Sequence, residues 1–459
     1  MYTIAVLNLR QCSLESKQMK IERKVYLDRL IARKHNGFVK IITGIRRCGK
    51  SYLLFNLYRE HLLATGVKPS QIIAIALDDD ANKDLRNSIR LGEWIRRQIK
   101  GRGMHYVFID EIQMAQKVLP DGVDLVRIAP EDRESAYVTF YDVLNGLMKL
   151  PNVDVYVTGS NSKMLSSDIA TNFRDRGDEI RVHPLTFAEC LSVSGKEKAE
   201  TWADYLVYGG MPGLVEKKTA EQKKDYLRQL FAKVYFKDIV ERHKLRHDRL
   251  LENVTDVLFS VVGSLTNPTK LADTLGTVQK LKVSQPTVKK YMDILQESFL
   301  VNRVERYDVK GRRYMDFPSK YYAEDIGLRN ARINYRQTEE AHLMENVICN
   351  ELLARGYAVD VGMVETVDIV KGKREKKQRE IDFIVNTGSR KVYIQSALRI
   401  DSEEKLRQET ESLRRSGDFF RKFVVTSGFS LPSEASDGII TVGVIPFLLD
   451  RSILDVRSS

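Results

Sequence analysis

Short apolar runs alternate with amphipathic segments over the first third of the chain. Four such runs lie at residues 38–43, 71–77, 106–109 and 153–157. Between them, apolar side chains recur at helical spacing over residues 51–63 and again over 139–150, and this period predicts amphipathic helices. Short apolar strands that alternate with helices are typical of a parallel sheet covered on both faces. The pattern therefore predicts an α/β core built on a parallel sheet.

From residue 185 the pattern becomes mainly helical and stays so to about residue 260. It is interrupted at residues 208–213, where the order Tyr-Gly-Gly-Met-Pro-Gly is a strong turn signal. Two shorter helices follow, the second with Ser284 as its N-cap and Pro286 in its first turn. A strand-like segment and a basic turn at 307–313 come next. This order is typical of a winged helix-turn-helix.

The last third of the chain mixes one predicted helix, at residues 339–355, with several strands. Strands are predicted over residues 381–385, 392–395 and 423–426. The basic stretch at 371–379 is interpreted as a solvated hairpin or loop. The predicted division is a tail at 1–18, an α/β domain at 19–190, a helical and winged-helix domain at 191–320 and a second α/β domain at 321–459.

The composition is that of packed domains. Hydrophobic residues make up 43% of the chain, which is enough for packed cores. No apolar run approaches the roughly 20 residues that cross a bilayer, and the N-terminal segment lacks the basic start of a signal peptide. The cysteines, at 12, 48, 190 and 349, are too far apart for a zinc motif or a disulfide framework. These features predict a cytoplasmic protein without a membrane partner.

The charge balance of the chain is basic, with a net charge of +12 and a pI of about 9.3. Such a balance favours polyanionic partners, nucleic acid first among them, although many soluble proteins are equally basic for other reasons. DNA is therefore the predicted partner, while a protein partner and a homo-oligomer are both compatible with the sequence.

The most informative motif lies directly after the first predicted strand. It reads Gly44-Ile45-Arg46-Arg47-Cys48-Gly49-Lys50-Ser51. Phosphate binding needs many backbone N–H groups aimed at one place, which requires glycines and a helix N-terminus. In this pattern Lys50 reaches the β- and γ-phosphates, and the Ser51 hydroxyl ligates Mg²⁺. An ordinary glycine turn is the alternative, but the position between a strand and an amphipathic helix favours a site for ATP and Mg²⁺.

A pair of carboxylates, Asp110 and Glu111, ends the third predicted strand. We expect Asp110 to hold Mg²⁺ through water, and Glu111 to orient and deprotonate the attacking water. Two acids that merely cap a strand end are the alternative. The extra apolar run at 71–77, between the two motif-bearing strands in the chain, is typical of ATPases that use such a glutamate. Together the two motifs predict an ATPase.

Polar residues end the fourth predicted strand at the same edge of the sheet. Thr158 and Ser160, with Asn161 behind them, can hydrogen-bond the γ-phosphate or the attacking water, and a strand-to-helix cap is the equal alternative. Arg174 and Arg176 follow on a segment able to face the nucleotide of a neighbouring subunit. An arginine in that position stabilises charge in the transition state, whereas surface salt bridges are the commoner use of arginine.

The order of these motifs resembles that of a large prokaryotic family. The segments that carry the resemblance are the phosphate loop and residues 110–113, 158–165, 176–189 and 208–212. The family is that of AAA-type ATPases fused to a C-terminal domain of unknown function, similar to archaeal-type ATPases. The resemblance covers nearly everything from Met19 onward. One departure is Asp175, where many relatives would have glycine before the arginine that matches Arg176.

The same resemblance implies a restriction-endonuclease-like fold for the last third. Active members of that fold use a helix acid, a strand aspartate and a Glu-x-Lys pair. Glu345 and Asp382 match the first two, and Gln395, Ser396 and Ala397 take the place of the pair. Two-metal hydrolysis needs carboxylates and usually a lysine, so the prediction is a nuclease-shaped but inactive domain. An unrelated α/β domain with a chance aspartate is the alternative.

The predicted winged helix carries a local set of basic residues. They are Lys289, Lys290, Arg303, Arg306, Lys310, Arg312 and Arg313. If the module binds DNA, the helix from Ser284 enters the major groove and the turn at 310–313 contacts phosphate. The alternative is a packing module between domains. Three functions therefore stay open: a DNA-associated ATPase, a nucleotide-gated protein-interaction switch with slow turnover and, less favoured, an ATP-dependent nuclease.

Overall fold

The computed structural model describes residues 20–160, 176–245, 248–336, 339–370, 373–387 and 390–455. Within these ranges, the first domain is built on a five-stranded parallel sheet. Its strands are β1 (Val39–Thr43), β2 (Ile72–Ala76), β3 (His105–Asp110), β4 (Val153–Thr158) and β5 (Gly177–Arg181). β1 and β3 are buried along their whole length, as central strands of a parallel sheet should be. The predicted parallel α/β core is confirmed.

Helices cover both faces of this sheet. They are α1 (Lys24–Ala32), α2 (Lys50–Tyr52), α3 (Arg59–Ala64), α4 (Ser88–Gln98) and α5 (Phe140–Met148), and a π-helical segment over Leu53–Tyr58 joins α2 to α3. On one face the ring of Tyr58 packs on Phe108 and Tyr156, with centroids 5.9 and 5.0 Å away. On the other face Leu144 belongs to the same buried cluster as Val107. The apolar residues that recur at helical spacing thus form the helix faces that pack on the sheet.

The order of the strands, β2-β3-β4-β1-β5, brings three carboxyl ends together. Along the chain β2 separates β1 from β3, but in the sheet it is β4 that lies between them and β2 forms an edge. Because the strands are parallel, the segments that follow β1, β3 and β4 meet at one edge of the sheet. That edge, called here the nucleotide edge, holds the phosphate loop, the Asp110-Glu111 pair and the end of β4.

The middle of the chain is helical. Its helices are α6 (Phe187–Ser194), α7 (Lys198–Tyr208), α8 (Ala220–Gln229), α9 (Lys237–Arg242), α10 (Asp248–Ser260), α11 (Pro268–Val278) and α12 (Gln285–Glu297), with a π-helical segment, Leu230–Phe236, between α8 and α9. The Ser284 hydroxyl accepts a hydrogen bond from the Thr287 N–H at 3.4 Å, so the predicted N-cap of α12 is confirmed. No helix among the described residues has both the length and the apolar character to span a bilayer.

In the described part of the last third, a nine-stranded mixed sheet forms the second α/β domain. Its strands are β6 (Leu265–Thr266), β7 (Val301–Asp308), β8 (Arg313–Ala323), β9 (Ala358–Val370), β10 (Lys373–Asn386), β11 (Lys391–Ala397), β12 (Arg421–Thr426), β13 (Ser433–Glu434) and β14 (Ile439–Gly443), in the order β13-β14-β12-β11-β10-β9-β7-β8-β6. The accompanying helices are α13 (Ile326–Arg332), α14 (Glu340–Arg355), α15 (Glu403–Arg414) and α16 (Val444–Leu449). The strands predicted in the last third are confirmed within β10, β11 and β12.

The β7–β8 hairpin, which the sequence assigns to a winged helix, belongs to this same sheet. β7 pairs antiparallel with β8 and in parallel with β9, with Arg306 opposite Val361. Residue 320, the predicted domain boundary, lies inside β8. The predicted boundary therefore lies inside the C-terminal sheet and not in a linker.

β9 and β10 form a long antiparallel ribbon, whose register runs from Lys373 opposite Val370 to Asn386 opposite Ala358. Of the two interpretations of the basic stretch at 371–379, the hairpin is the one found over the described residues 373–379. The β-branched residues of β9 face the basic residues as strand partners, and such residues favour a strand. The register continues outward from the buried Ile381, which lies opposite Gly362.

Candidate functional site

Two glycines shape the phosphate loop. Gly44 and Gly49 have φ angles of 133° and 103°, in the left-handed region that residues with a Cβ rarely adopt. A Cβ on Gly44 would lie 2.0 Å from the carbonyl oxygen of Val182. The loop passes so close to the segment after β5 that only glycine fits at position 44.

The side chains at the crest of the loop divide into anchored and exposed ones. Ile45 and Cys48 are buried, and the Cys48 Sγ donates to the carbonyl of Val182 at 3.2 Å. Arg46 and Arg47, which lie between them, are exposed. The buried pair, Ile45 and Cys48, fixes the loop to the domain. The exposed pair, Arg46 and Arg47, places two guanidinium groups beside the loop.

Lys50 lies buried beneath the loop, with 4% of its surface exposed. Its Nζ donates to the carbonyls of Gly44 and Ile45, at 3.0 and 3.1 Å. Within the described ranges no carboxylate forms an ion pair with it. An ammonium held only by main-chain carbonyls keeps its charge available for an anion such as a phosphate.

The hydroxyls of Ser51 and Thr158 both contact the carboxyl group of Asp110. Thr158 Oγ1 donates a hydrogen bond to Asp110 Oδ1, and Ser51 hydrogen-bonds the same group. Burial raises the pKa of Asp110, while the two hydroxyl hydrogen bonds act to lower it. Ser51 from the loop and Asp110 from β3 therefore lie side by side, as oxygen donors of the kind that Mg²⁺ prefers.

Glu111 follows Asp110 and is held by neutral polar groups. The Ser160 Oγ donates to Glu111 Oε2 at 3.3 Å, and the Gln113 Nε2 donates to the same oxygen. The backbone N–H of Glu111 donates to Thr158 Oγ1 at 3.0 Å. Sequence reasoning gave Gln113 no role. Its place two residues after Glu111, on a short helical turn, is the signal that could have found it.

Arg176 lies at the opposite edge of the sheet from the phosphate loop. Its carbonyl accepts a hydrogen bond from the Val39 N–H at 3.0 Å, at the start of β1, and its side chain is exposed. β1 is five residues long, so about 16 Å separates this edge from the loop. Arg176 therefore does not reach the phosphate loop of its own chain. Arg174 and Asn161 lie outside the described residues.

A cleft of about 710 Å³ opens beside Gly49. Its lining includes Lys20, Ile21, Tyr52, Asn56, Pro212 and Gly213. Arg23 borders the cleft and donates to the carbonyls of Cys48 and His183, at 3.2 and 2.6 Å. The segment before α1 is thus hydrogen-bonded directly to the phosphate loop. No local sequence pattern predicts this contact.

The glycine-rich turn at 208–213 docks between the phosphate loop and the C-terminal sheet. The Gly210 N–H donates to the buried Asp325 carboxylate at 2.7 Å. On the other side Tyr235 contacts Met211 and donates to the carbonyl of Arg46 at 2.7 Å. Burial raises the pKa of Asp325 to about 6, against the lowering effect of its backbone N–H partners. The turn therefore joins the loop to the segment directly after β8.

A second contact between the nucleotide edge and the C-terminal sheet is charged. Arg181, at the end of β5, lies 2.7 Å from the Glu324 carboxylate and 2.6 Å from Asn302 Oδ1. The Nδ1–H of His183 donates to the same carboxylate at 2.8 Å. Burial acts to raise the pKa of Glu324, but Arg181 and His183 lower it to about 2. This buried network connects the end of β5 and the residues directly after it to β7 and to the residue directly after β8.

The predicted nuclease-like residues Glu345 and Asp382 lie together, around a lysine that sequence reasoning missed. The Lys320 Nζ is 2.8 Å from Glu345, 2.7 Å from Glu380 and 3.0 Å from Asp382. Its side chain, from β8, is 3% exposed. Because Lys320 precedes Glu345 by 25 residues on another element, no local motif links it to the cluster.

The predicted Gln395-Ser396-Ala397 segment does border this cluster. The Gln395 Oε1 accepts from the Asp382 N–H at 3.4 Å, and the Ser396 N–H donates to Asp382 Oδ2 at 2.9 Å. Burial acts to lower the pKa of Lys320, but the three carboxylates raise it well above its usual value. In the chain as described, no group of three or more His, Cys, Asp or Glu side chains is arranged to hold a metal ion. Lys320 is the cation of this cluster.

The basic residues of the predicted DNA-binding module divide into two sets. Five of the seven are exposed: Lys289, Lys290, Lys310, Arg312 and Arg313. Arg306 is 8% exposed and donates to Gln378 Oε1 at 3.3 Å. The Arg303 Nε donates to Ser319 Oγ at 3.1 Å. Arg303 and Arg306 therefore hold strands of the sheet together, and the burial of Arg306 leaves it outside the exposed part of the basic set.

Comparison with known proteins agrees with the geometry of the nucleotide edge. Residues 36–191 match an AAA domain, and residues 199–339 match a domain of unknown function, DUF8612. The first match covers the parallel sheet, the phosphate loop and the Asp110-Glu111 pair. The chain is thus a P-loop protein of the AAA type.

Its relatives cover nearly the whole chain. An uncharacterized protein of Haemophilus influenzae is 30% identical over 442 residues, which are 95% of this chain and 100% of that protein. The chain belongs to the family of this protein. The uncharacterized protein MJ1544 of Methanocaldococcus jannaschii is 24% identical, over 81% of this chain and 77% of its own.

Among solved structures, the chain is similar to the Walker-type ATPase PABY2304 of Pyrococcus abyssi. The two share 14% identity with a TM-score of 0.46, over 69% of this chain and 97% of the other.

Proposed function

We propose that this protein binds ATP together with Mg²⁺ and hydrolyses it. The observation that carries the proposal is the hydrogen-bonded group at the nucleotide edge, in which Ser51, Asp110 and Glu111 lie close to the buried Lys50. A bound Mg²⁺ would neutralise charge on the transferred phosphate. Ser51 and Asp110 are the residues that would hold it.

The phosphate loop and its neighbours account for nucleotide binding. The backbone N–H groups from Gly44 to Ser51 precede a helix, and such groups bind phosphate. Lys50 exchanges its carbonyl partners for phosphate oxygens. The cleft beside Gly49, lined by Tyr52 and Pro212 among others, is placed to receive the base and sugar.

Glu111 is the proposed general base for the attacking water. Ser160 and Gln113 occupy one oxygen of its carboxylate, so the other is directed by the same contacts and stays available for a proton. Thr158 holds Asp110 and the Glu111 backbone and acts as a positioning residue. Arg176, which does not reach its own loop, is proposed to act on the nucleotide of a neighbouring subunit in a homo-oligomer.

We propose that ATP turnover is coupled to DNA through a winged helix formed by α10, α11, α12 and the β7–β8 hairpin. The exposed Lys289 and Lys290 lie on α12, the helix that would enter the major groove. The net charge of +12 is consistent with a polyanionic partner.

A second candidate is a nucleotide-gated protein-interaction switch with slow turnover and no role for DNA. The buried network of Arg181, His183 and Glu324 favours it, because it connects the nucleotide edge directly to the C-terminal sheet. In either case we propose that the C-terminal domain is nuclease-shaped and inactive, with Lys320 in place of a metal ion. Plasmid cleavage that Asp382→Ala abolishes would contradict this last proposal.

The test is steady-state ATP hydrolysis, with and without duplex DNA, for the wild type and matched variants. Glu111→Gln should lower turnover about 100-fold or more and leave nucleotide binding intact, whereas Lys50→Ala should abolish binding. Glu131→Gln, an exposed acid on the segment before α5, is the control and should match the wild type. A wild type no faster than Lys50→Ala would sink the hydrolase proposal. Turnover indifferent to DNA would favour the switch.

A further inference from the structure

The outer part of the β9–β10 ribbon extends beyond the sheet. β7 pairs with β9 only as far as Met363, and β11 pairs with β10 only from Phe383 onward. Among the described residues no other strand flanks the seven pairs from Val364 opposite Arg379 to Val370 opposite Lys373. At about 3.3 Å per residue, this free ribbon is roughly 23 Å long.

The free ribbon is basic. Residues 373–379 contain five basic residues and one acidic residue, and residues 364–370 opposite them contain two acidic residues, which leaves a net charge of +2. Arg374, Lys376 and Lys377 are exposed, and the Lys376 side chain is 76% exposed beside Glu365. Since side chains alternate along a strand, Lys377 lies on the opposite face from Arg374 and Lys376. Both faces of the ribbon therefore carry positive charge.

The ribbon lies directly against the turn of the β7–β8 hairpin. The Val309 N–H donates to the carbonyl of Met363 at 3.0 Å, and the Lys310 Nζ donates to the carbonyl of Glu365, also at 3.0 Å. The turn is held by Asp308, whose Oδ1 accepts the N–H groups of Lys310 and Gly311 at 3.2 and 2.9 Å. The two hairpins thus form one continuous surface.

We call this the ribbon–wing surface and define it by its exposed basic residues. They are Lys310, Arg312, Arg313, Arg374, Lys376 and Lys377. The first three come from the proposed winged helix, and the last three come from a part of the chain outside it. Lys376 pairs with Glu365 at 2.7 Å and Arg313 with Asp308 at 3.7 Å, and the net charge of the two adjoining hairpins still places positive potential at one end of the sheet.

We propose that the ribbon–wing surface binds duplex DNA, with the β9–β10 ribbon in the major groove and Lys310, Arg312 and Arg313 on the adjacent phosphates. The major groove admits a two-stranded antiparallel ribbon, and a ribbon that carries charge on both faces contacts the backbone on both sides of the groove. This inference rests on the DNA association in the proposed function and names a contact surface that the winged helix alone does not include.

The exposed side chains distinguish DNA from an anionic membrane as the polyanion. On the described part of this surface, Val367 and Tyr314 are the large apolar side chains that are exposed, at 52% and 58%. They lie on separate strands and form no apolar face. Stable binding at a membrane surface combines electrostatic attraction with an apolar face buried among the headgroups. Binding in a groove of DNA requires no such apolar face.

The experiment measures binding of the full-length protein to a fluorescein-labelled DNA duplex by anisotropy over a range of salt concentrations. The variant Arg374→Ala, Lys376→Ala, Lys377→Ala should bind at least about 10-fold more weakly. Its slope of log affinity against log salt should be shallower by up to about 3. The matched control is Arg97→Ala, Lys100→Ala, Arg102→Ala, which removes three exposed positive charges near the N-terminal end of β3 and should change affinity less than about twofold.

Each outcome separates the inference from the proposed function. Both triple variants should hydrolyse ATP in the absence of DNA at the wild-type rate and keep the wild-type melting temperature, which excludes misfolding. If the wild type binds duplex DNA and the two variants lose equally little affinity, the ribbon inference is overturned and the winged helix keeps the DNA role. If the wild type hydrolyses ATP but binds no DNA, or binds only phosphatidylserine vesicles, the inference and the DNA part of the proposed function both fall, and hydrolysis stands.

Discussion

Two of the carboxylate groups that the structure describes are neutralised in different ways. At the nucleotide edge, hydroxyl and amide groups hold Asp110 and Glu111. In the C-terminal domain, the ammonium of Lys320 lies between Glu345, Asp382 and a third acid. Neutral donors leave the negative charge of the first group for a cation from solution, whereas the second group already has a cation from the chain.

The difference shows that carboxylates at suitable places are a weak indicator of a metal site unless their neutralising partner is known. Burying an acid without a cation is unfavourable, so each group has to be completed by something. At the nucleotide edge the missing charge is that of a ligand. In the C-terminal cluster it is that of Lys320, whose high pKa keeps it charged. The following substitutions test this contrast, beginning with the largest expected effect.

Lys320→Met should lower the free energy of unfolding by about 3–5 kcal/mol at neutral pH, because it leaves three acids without a cation. Burial and Asp382 already raise the pKa of Glu345 to about 7, above its usual 4.5, so ionisation of this group weakens folding as pH rises through that range. The loss should therefore be smaller at pH 5 than at pH 8, as urea unfolding would measure. Lys405→Met, at an exposed ion pair with Glu409, is the control. Full rescue by millimolar Mg²⁺ would make the two clusters alike and break the contrast.

Glu324→Gln tests a buried carboxylate whose partners are one cation, Arg181, and the histidine His183. The pKa of Glu324 is about 2 in the folded chain, against a usual value of 4.5, a gap that corresponds to about 3 kcal/mol of stability at neutral pH. This contribution is present above pH 4.5 and is lost as the pH falls toward 2. The difference in unfolding free energy between wild type and variant should therefore shrink by more than half by pH 3. A difference that does not change with pH would contradict the charged network. Glu305→Gln, on neighbouring β7 and 46% exposed, is the control.

Thr158→Val tests whether a neutral hydroxyl group positions the carboxylates at the nucleotide edge. It removes the hydroxyl that donates to Asp110 and accepts from the Glu111 N–H, and such losses amount to about 1–3 kcal/mol. The Mg²⁺ concentration for half-maximal ATP hydrolysis should rise about 10-fold. Because this hydrogen bond acts to lower the pKa of Asp110, the acid limb of the pH–rate profile should move to higher pH. Thr158→Ser keeps the hydroxyl and should behave as wild type; an equal effect of both variants would refute the role.

Gln113→Ala should have the smallest effect, a loss of turnover of about 3-fold to 10-fold with unchanged nucleotide affinity. It removes one of two neutral groups that hold Glu111 Oε2, while Ser160 remains, so part of the orientation is retained. Single-turnover hydrolysis with a separate measurement of nucleotide binding would check it. Gln116→Ala, whose side chain is exposed, is the control. A loss as large as that of Glu111→Gln would mean that Gln113 contacts the reacting atoms itself.

Much of the first domain could be predicted because its signals are local. The phosphate loop is contiguous from Gly44 to Ser51, and β1 and β3 are continuous apolar runs. Their meeting at one edge follows from parallel strands alone. The strand that lies between them was not predictable in the same way. β4, and not β2, lies between β1 and β3, because the order of strands in the sheet is set by packing and not by their order along the chain.

The C-terminal cluster could be predicted only in part. Glu345 and Asp382 were found from the resemblance to the restriction-endonuclease fold, but Lys320 comes from β8, a strand that the predicted domain boundary divided between two domains. Arg306 shows the opposite error. Its charge placed it in the basic set of the predicted winged helix, yet cross-strand packing buries it against Gln378. Contacts between strands that are distant in sequence determine both the position of Lys320 and the burial of Arg306. Hydrophobic periodicity does not predict such contacts.

The position of strand β8 has consequences for how the protein unfolds and how its domains evolve. This strand pairs with β6, the short strand between α10 and α11 in the middle of the chain, and it gives one buried lysine to the C-terminal cluster. Neither half is complete without it, so the two should open together as one cooperative unit when the protein is partly unfolded. For the same reason recombination could not exchange the C-terminal half for another domain at this point. The helical part and the sheet have to evolve as a single piece.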